Sequence, residues 1–145
     1  MNVARLAQWL AGAWAGALLC IGLLAAPAAF STLARQEAGR VAGRMFAHEA
    51  YLSLLLGVAL LVLERKRASA NAEAGKESVL SANVLLLLGT IFCTIAGYFA
   101  LQPMMAAART GQGAVPFVAL HAASAAFFAL KALLVCALAW RLSAR

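Results

Sequence analysis

An all-α integral membrane protein, a four-helix bundle of up-down topology, is the fold this sequence predicts, and three observations carry it. Of 145 residues, 65% are hydrophobic and only 12% charged, with a mean hydropathy of +0.88; soluble domains hold roughly 45–50% apolar residues. The charges are bunched at the edges of long apolar runs. Four such runs approach or exceed the length that crosses ~30 Å of hydrocarbon at 1.5 Å per residue, and none shows strand-like alternation. The length suits one transmembrane domain covering residues 1–145.

The first run spans about residues 6–30, Leu6 to Phe30, broken only by Gln8 before Pro27. Arg5 ahead of it and Ala26-Pro27-Ala28 near its end also suit a signal peptide. The run exceeds the roughly 7–15 residues of an apolar signal region, and Leu19 spoils a lipoprotein site at Cys20, so an uncleaved span is expected. Residues 31–45 carry Arg35, Arg40 and Arg44, with Leu33, Val41 and Met45 near a helical period, which suits a short helix at the membrane interface.

The second span, about residues 46–63, stops at Glu64-Arg65-Lys66-Arg67. The hydrophilic stretch 64–78 reads as a solvated loop. The third span, about 79–101, ends at Gln102-Pro103; the fourth covers about 117–140, after a loop containing Arg109, Gly111, Gly113 and Pro116.

Lys and Arg at the loop edges set the orientation. Arg5, Arg65, Lys66, Arg67, Lys76, Arg141 and Arg145 lie on the side of the termini and central loop; Arg35, Arg40, Arg44 and Arg109 lie opposite. Seven against four places both termini and the loop in the cytoplasm, for a multi-pass protein of the inner membrane. The net charge of +7 and pI near 10.2 belong to these edges, where cations meet lipid headgroups, so no nucleic-acid partner is expected. The bilayer is the expected partner, together with a homo-oligomer or membrane-protein partner. Cys20, Cys93 and Cys136 all fall within apolar spans and suggest neither a disulfide framework nor a zinc site.

Membrane helices associate by close packing and interhelical polar contacts. Gly12 and Gly16 form a GxxxG pattern that Cys20 extends, expected to pack within the bundle, with dimerisation as the alternative. Asn83, Thr90, Thr94 and Tyr98 follow spacings of seven, four and four along one stripe of the third span. His121, Ser124, Phe128 and Lys131 form a second stripe on the fourth. Both are expected to point inward, since polar groups in hydrocarbon favour protein.

Lys131 is the deepest ionisable group, about 15 Å along the helix from Arg141. No acid is expected at its depth; Thr90, at similar depth, is a candidate to solvate its amine, and the alternative is a lysine stretched to the headgroups or partly neutral, because burial disfavours its charge. Near the opposite membrane face, His48, Glu49, Tyr98 and His121 come from three helices and form a candidate metal or haem cluster. His48 and Glu49 point about 100° apart, and the alternative is a hydrogen-bonded cluster pinning helix ends. No cofactor is firmly predicted, although haem or a transition metal suits the histidines. No catalytic motif is present, which leans away from an enzyme.

The segments WAGALLCIGLLAAPAAF, AGRVAGRMFAHEAY, QPMMAAARTGQG and FVALHAASAAF resemble the recurring pattern of the transmembrane protein 205-like family, a domain of unknown function in small bacterial membrane proteins. The resemblance implies four membrane helices, with Pro27, Phe30, Gly43, Phe46, Pro103, His121 and Ser124 at matching positions, and no catalytic residues. It is also distantly similar to copper-resistance and haem-binding four-helix membrane proteins. The leading expectation is a non-enzymatic membrane protein with a structural, assembly or small-solute-handling role. The alternatives are a metal- or haem-binding protein using His48 and His121, and a small oligomeric transporter or channel subunit lined by Lys131, Thr90 and Thr94.

Overall fold

The structure, a computed structural model, describes residues 3–73 and 80–144. Four helices account for nearly all of them: α1 (Val3–Thr32), α2 (Arg35–Glu73), α3 (Ala82–Arg109) and α4 (Phe117–Ser143). All four are long and apolar enough to cross a membrane, and no strand occurs among the described residues. Each helix packs against its neighbours in sequence, and α4 closes the ring against α1. The helices alternate up and down, so the start of α1 and the end of α4 lie at one end of the bundle.

Several boundaries differ from the sequence reading. Arg35–Met45 is not a separate interfacial helix but the opening turns of α2. The same helix continues through Glu64 to Glu73, where a loop was expected; the Ala, Glu, Lys and Arg residues there are good helix formers. The remainder of that expected loop, with Lys76, and the C-terminal Arg145 lie outside the described residues.

α3 does not stop at Gln102-Pro103 but runs to Arg109. A π-helical turn, Ile95–Ala100, precedes Pro103, and a second, Cys20–Ala25, precedes Pro27 in α1. A proline ring clashes with the carbonyl four residues back and supplies no N–H. The wider π turn shifts that ladder just ahead of each proline, so both helices pass through.

Two turns and one cap set the remaining ends. Ser81 opens α3, its hydroxyl accepting from the Val84 N–H at 3.4 Å, the usual N-cap arrangement. Between α3 and α4, Gly111 adopts φ +75°, a left-handed conformation that glycine enters without a Cβ clash. Pro116 precedes the first turn of α4.

The apolar core lies toward the end that carries the termini. Ala7, Ala11, Trp14, Ala15 and Leu18 of α1 meet Leu60 of α2, Leu87 of α3, and Val135, Leu138 and Leu142 of α4. The small residues that α1 turns inward are therefore Ala7, Ala11 and Ala15. Gly12 and Gly16 are exposed, and a Cβ at either would meet nothing within 4 Å; Cys20 is exposed as well. The expectation that this GxxxG ridge packs within the bundle is corrected: burying the Trp14 ring rotates the helix and turns the glycines outward.

Candidate functional site

The polar groups of the interior assemble into two networks. The first lies above the apolar core and joins three helices. Lys131 of α4 places Nζ 2.7 Å from both Oε1 and Oε2 of Glu49 on α2, with the two residues only 3% and 4% exposed. α2 and α4 are not neighbours in the ring, so the pair crosses its centre. Ser53, one turn below Glu49 on the same face of α2, donates its hydroxyl to Glu49 Oε1. That hydroxyl in turn accepts from Trp14 Nε1 of α1 at 2.9 Å. The Lys131 ammonium also lies 5.1 Å from the Phe128 ring centroid, within cation–π range.

This network corrects the expectation that Lys131 has no acid partner. Counting along the helices places Glu49 nearer the far membrane edge, but a lysine side chain spans more than a helical turn. The Cα–Cβ bond of Lys131 tilts toward the N-terminus of α4, which is the direction of Glu49. Thr90 does not solvate the amine; it donates to Leu86 O of its own helix at 2.8 Å, and Thr94 donates to Thr90 O at 2.9 Å. Both threonines are buried.

The second network sits at the end that carries the termini. Glu64 of α2, 2% exposed, accepts from Asn83 Nδ2 of α3 at 2.9 Å and from an Arg67 guanidinium nitrogen at 2.8 Å. Asn83 Oδ1 accepts from Arg141 Nε of α4 at 3.0 Å. Asn83 thus uses both halves of its amide, linking three helices through one side chain. Among the described residues, no buried side-chain nitrogen or oxygen lacks a partner.

Ser124 of α4 makes a further contact, donating to Gly97 O at 2.7 Å. Gly97 lies in the π turn of α3, where the ladder of backbone bonds is shifted, and the hydroxyl satisfies this carbonyl from outside. The helices approach closely here: a Cβ on Gly97 would collide with Phe127 Cβ.

The proposed histidine cluster is dispersed. His48 is exposed, whereas Glu49 beside it faces inward and is engaged by Lys131. His121 is also exposed, not on an inward stripe with Lys131; its ring stacks on Phe117 at 5.8 Å and 12°. The Arg109 guanidinium lies over the same Phe117 ring at 4.8 Å. Tyr98 is half-buried and meets Phe99 edge-on at 5.1 Å. Among the described residues, no three His, Cys, Asp or Glu side chains are gathered closely enough to hold a metal ion.

Trp14, Ser53 and Glu64 were not singled out from the sequence as members of the polar interior. The i, i+4 spacing of Glu49 and Ser53 was the available signal, because it places an acid and a hydroxyl on one helical face.

A family model described as a domain of unknown function, DUF4149, matches residues 9–114. The chain belongs to this family. The DUF4149 match takes in α1, α2 and α3, with Trp14, Glu49, Ser53, Glu64 and Asn83, and ends before Lys131 and Arg141. The function of DUF4149 is unknown, so membership brings no catalytic residue, ligand or partner. The likeness to transmembrane protein 205-like, copper-resistance and haem-binding proteins is not part of what this match shows. Neither a curated protein nor a solved structure matches the chain.

Proposed function

We propose that this DUF4149 protein is a non-enzymatic, multi-pass protein of the inner membrane, with both termini cytoplasmic, that serves a structural or assembly role. The observation that carries this reading is the Glu49–Lys131 pair. The strongest charges of the interior are spent on each other across the centre of the ring, and Ser53 and Trp14 complete the network. A conduction path needs polar groups that exchange partners with a passing solute; here the described buried groups are matched within the protein. Such a pair costs desolvation energy, and its best-attested use is to fix one packing and register of helices.

The chain's edges support the membrane placement. Twenty residues separate Arg44 from Glu64 on α2, about 30 Å of helix, the thickness of a hydrocarbon core. Trp9 and Trp140, 72% and 77% exposed, stand toward the end that carries the termini, where interfacial tryptophans are common. A rigid, filled bundle of this kind offers other membrane proteins its lipid-facing helices and charged ends.

Purified protein in liposomes tests the proposal through ion and small-solute flux. Wild type is expected to pass no more than empty vesicles, and a Glu49→Leu/Lys131→Met double variant is expected to remain folded and equally silent. Flux in wild type that disappears in the double variant would replace this reading with a transport one. For orientation, a reporter fused after Ala144 should be active only in the cytoplasm.

A further inference from the structure

Exposed cations stand at both ends of the bundle, Arg5, Arg65 and Lys66 at the end with the termini and Arg35, Arg40 and Arg44 at the other. At the end with the termini, Arg67 is paired to Glu64 and Arg141 is held by Asn83. At the other end, Arg35, Arg40 and Arg44 are exposed, and their side chains make no ion pair or hydrogen bond among the described residues. With Arg109 and the acid Glu37, this end carries 4 − 1 = 3 net positive charges.

Arg40 and Arg44 are placed with particular geometry. Ala38 and Ala42, 0% and 6% exposed, mark the side of the opening turns of α2 that is packed in the bundle. Arg40 and Arg44 each follow one of these by two residues, about 200° around the helix, and so point directly away from the bundle. One turn apart, they present two guanidinium groups on one face. Phe30, Leu33 and Val41 stand exposed in the same region, at 51%, 40% and 42%, and apolar side chains among unpaired arginines suit a bilayer interface. Arg44 begins the 30 Å slab that ends at Glu64, at the height where lipid phosphates lie.

We infer that Arg40 and Arg44 form a headgroup clamp for acidic phospholipids, holding the phosphate of an anionic lipid whose acyl chains run down the outer face of α2. Guanidinium groups match phosphate oxygens in geometry as well as charge, and each cation near an anionic surface strengthens attraction by about fivefold, at ~1 kcal/mol. The clamp rests on the membrane placement proposed above but not on the structural role assigned to the core.

Full-length protein in nanodiscs of phosphatidylcholine with a minor share of phosphatidylglycerol, delipidated stepwise and analysed by native mass spectrometry, provides the test. Wild type is expected to retain phosphatidylglycerol in preference to phosphatidylcholine. Arg40→Gln/Arg44→Gln should lower that preference by at least about fivefold while leaving the circular dichroism and melting temperature unchanged. Arg65→Gln/Lys66→Gln, at the opposite end, should keep it. Equal retention of both lipids by wild type, or a preference lost only in the Arg65/Lys66 variant, would overturn the clamp. Neither outcome bears on the flux measurement, so the two proposals fail separately.

Discussion

Lys131 and Glu49, 82 positions apart in sequence, lie on opposite helices of the ring and meet at its centre through two 2.7 Å contacts. A buried pair of this kind is asymmetric in its consequences. Deleting one partner leaves a desolvated charge, whereas deleting both leaves space that apolar side chains fill.

Lys131→Ala is therefore expected to destabilise the protein by roughly 3–5 kcal/mol. Glu49→Leu combined with Lys131→Met should recover most of that loss. Thermal unfolding in one detergent, followed by circular dichroism, makes the comparison. A double variant as unstable as the single would mean that the pair contributes more than mutual neutralisation.

Ser53 both accepts from Trp14 and donates to Glu49. Ser53→Ala strands the indole N–H in an apolar interior at a cost of roughly 1–3 kcal/mol. Trp14→Phe removes that donor, so adding it to Ser53→Ala should cost less than the two single changes summed. Strict additivity in a double-mutant cycle would refute the relay.

Gly97 and Gly12 are both glycines in apolar helices, yet their substitutions should diverge. Gly97→Ala drives a methyl group into Phe127, a steric conflict worth about 1–3 kcal/mol that also disturbs the Ser124 contact. Gly12→Ala meets nothing within 4 Å and should leave the melting temperature of the monomeric protein unchanged or slightly raised. Equal effects would contradict the helix rotation described for α1.

Asn83 bridges Glu64 and Arg141. Asn83→Leu keeps the branched shape of the side chain but removes both bonds, leaving the Glu64 carboxylate with its Arg67 contact on α2. A loss of about 2 kcal/mol is expected, since hydrogen bonds to charged groups contribute about 1.5–3 kcal/mol each. Adding Glu64→Leu should restore part of it, measured by the same thermal unfolding.

How much of this was legible in advance varies with the residue. Four helices follow from composition, because every backbone polar group in hydrocarbon must be satisfied within its own segment. The burial of Asn83, Thr90 and Thr94 is visible in their common stripe on α3. The ends of α2 and α3 were less visible: charge and proline ordinarily end an apolar span, but charged helix formers extend α2 and a π turn carries α3 past Pro103.

The interior partners were not legible, for a geometric reason. Sequence spacing fixes which residues share a face of one helix, but not how far that helix is rotated or shifted against the next. Rotation of α1 decided that Ala7, Ala11 and Ala15 face inward instead of Gly12 and Gly16. The offset between α2 and α4, with the reach of a long side chain, decided that Lys131 meets Glu49 instead of Thr90. The sequence by itself determined the all-α architecture, the apolar spans and the charged edges, because these depend on local composition and helical period. Tertiary structure alone decided which polar groups are partners, because that depends on side-chain reach across packed helices far apart in sequence.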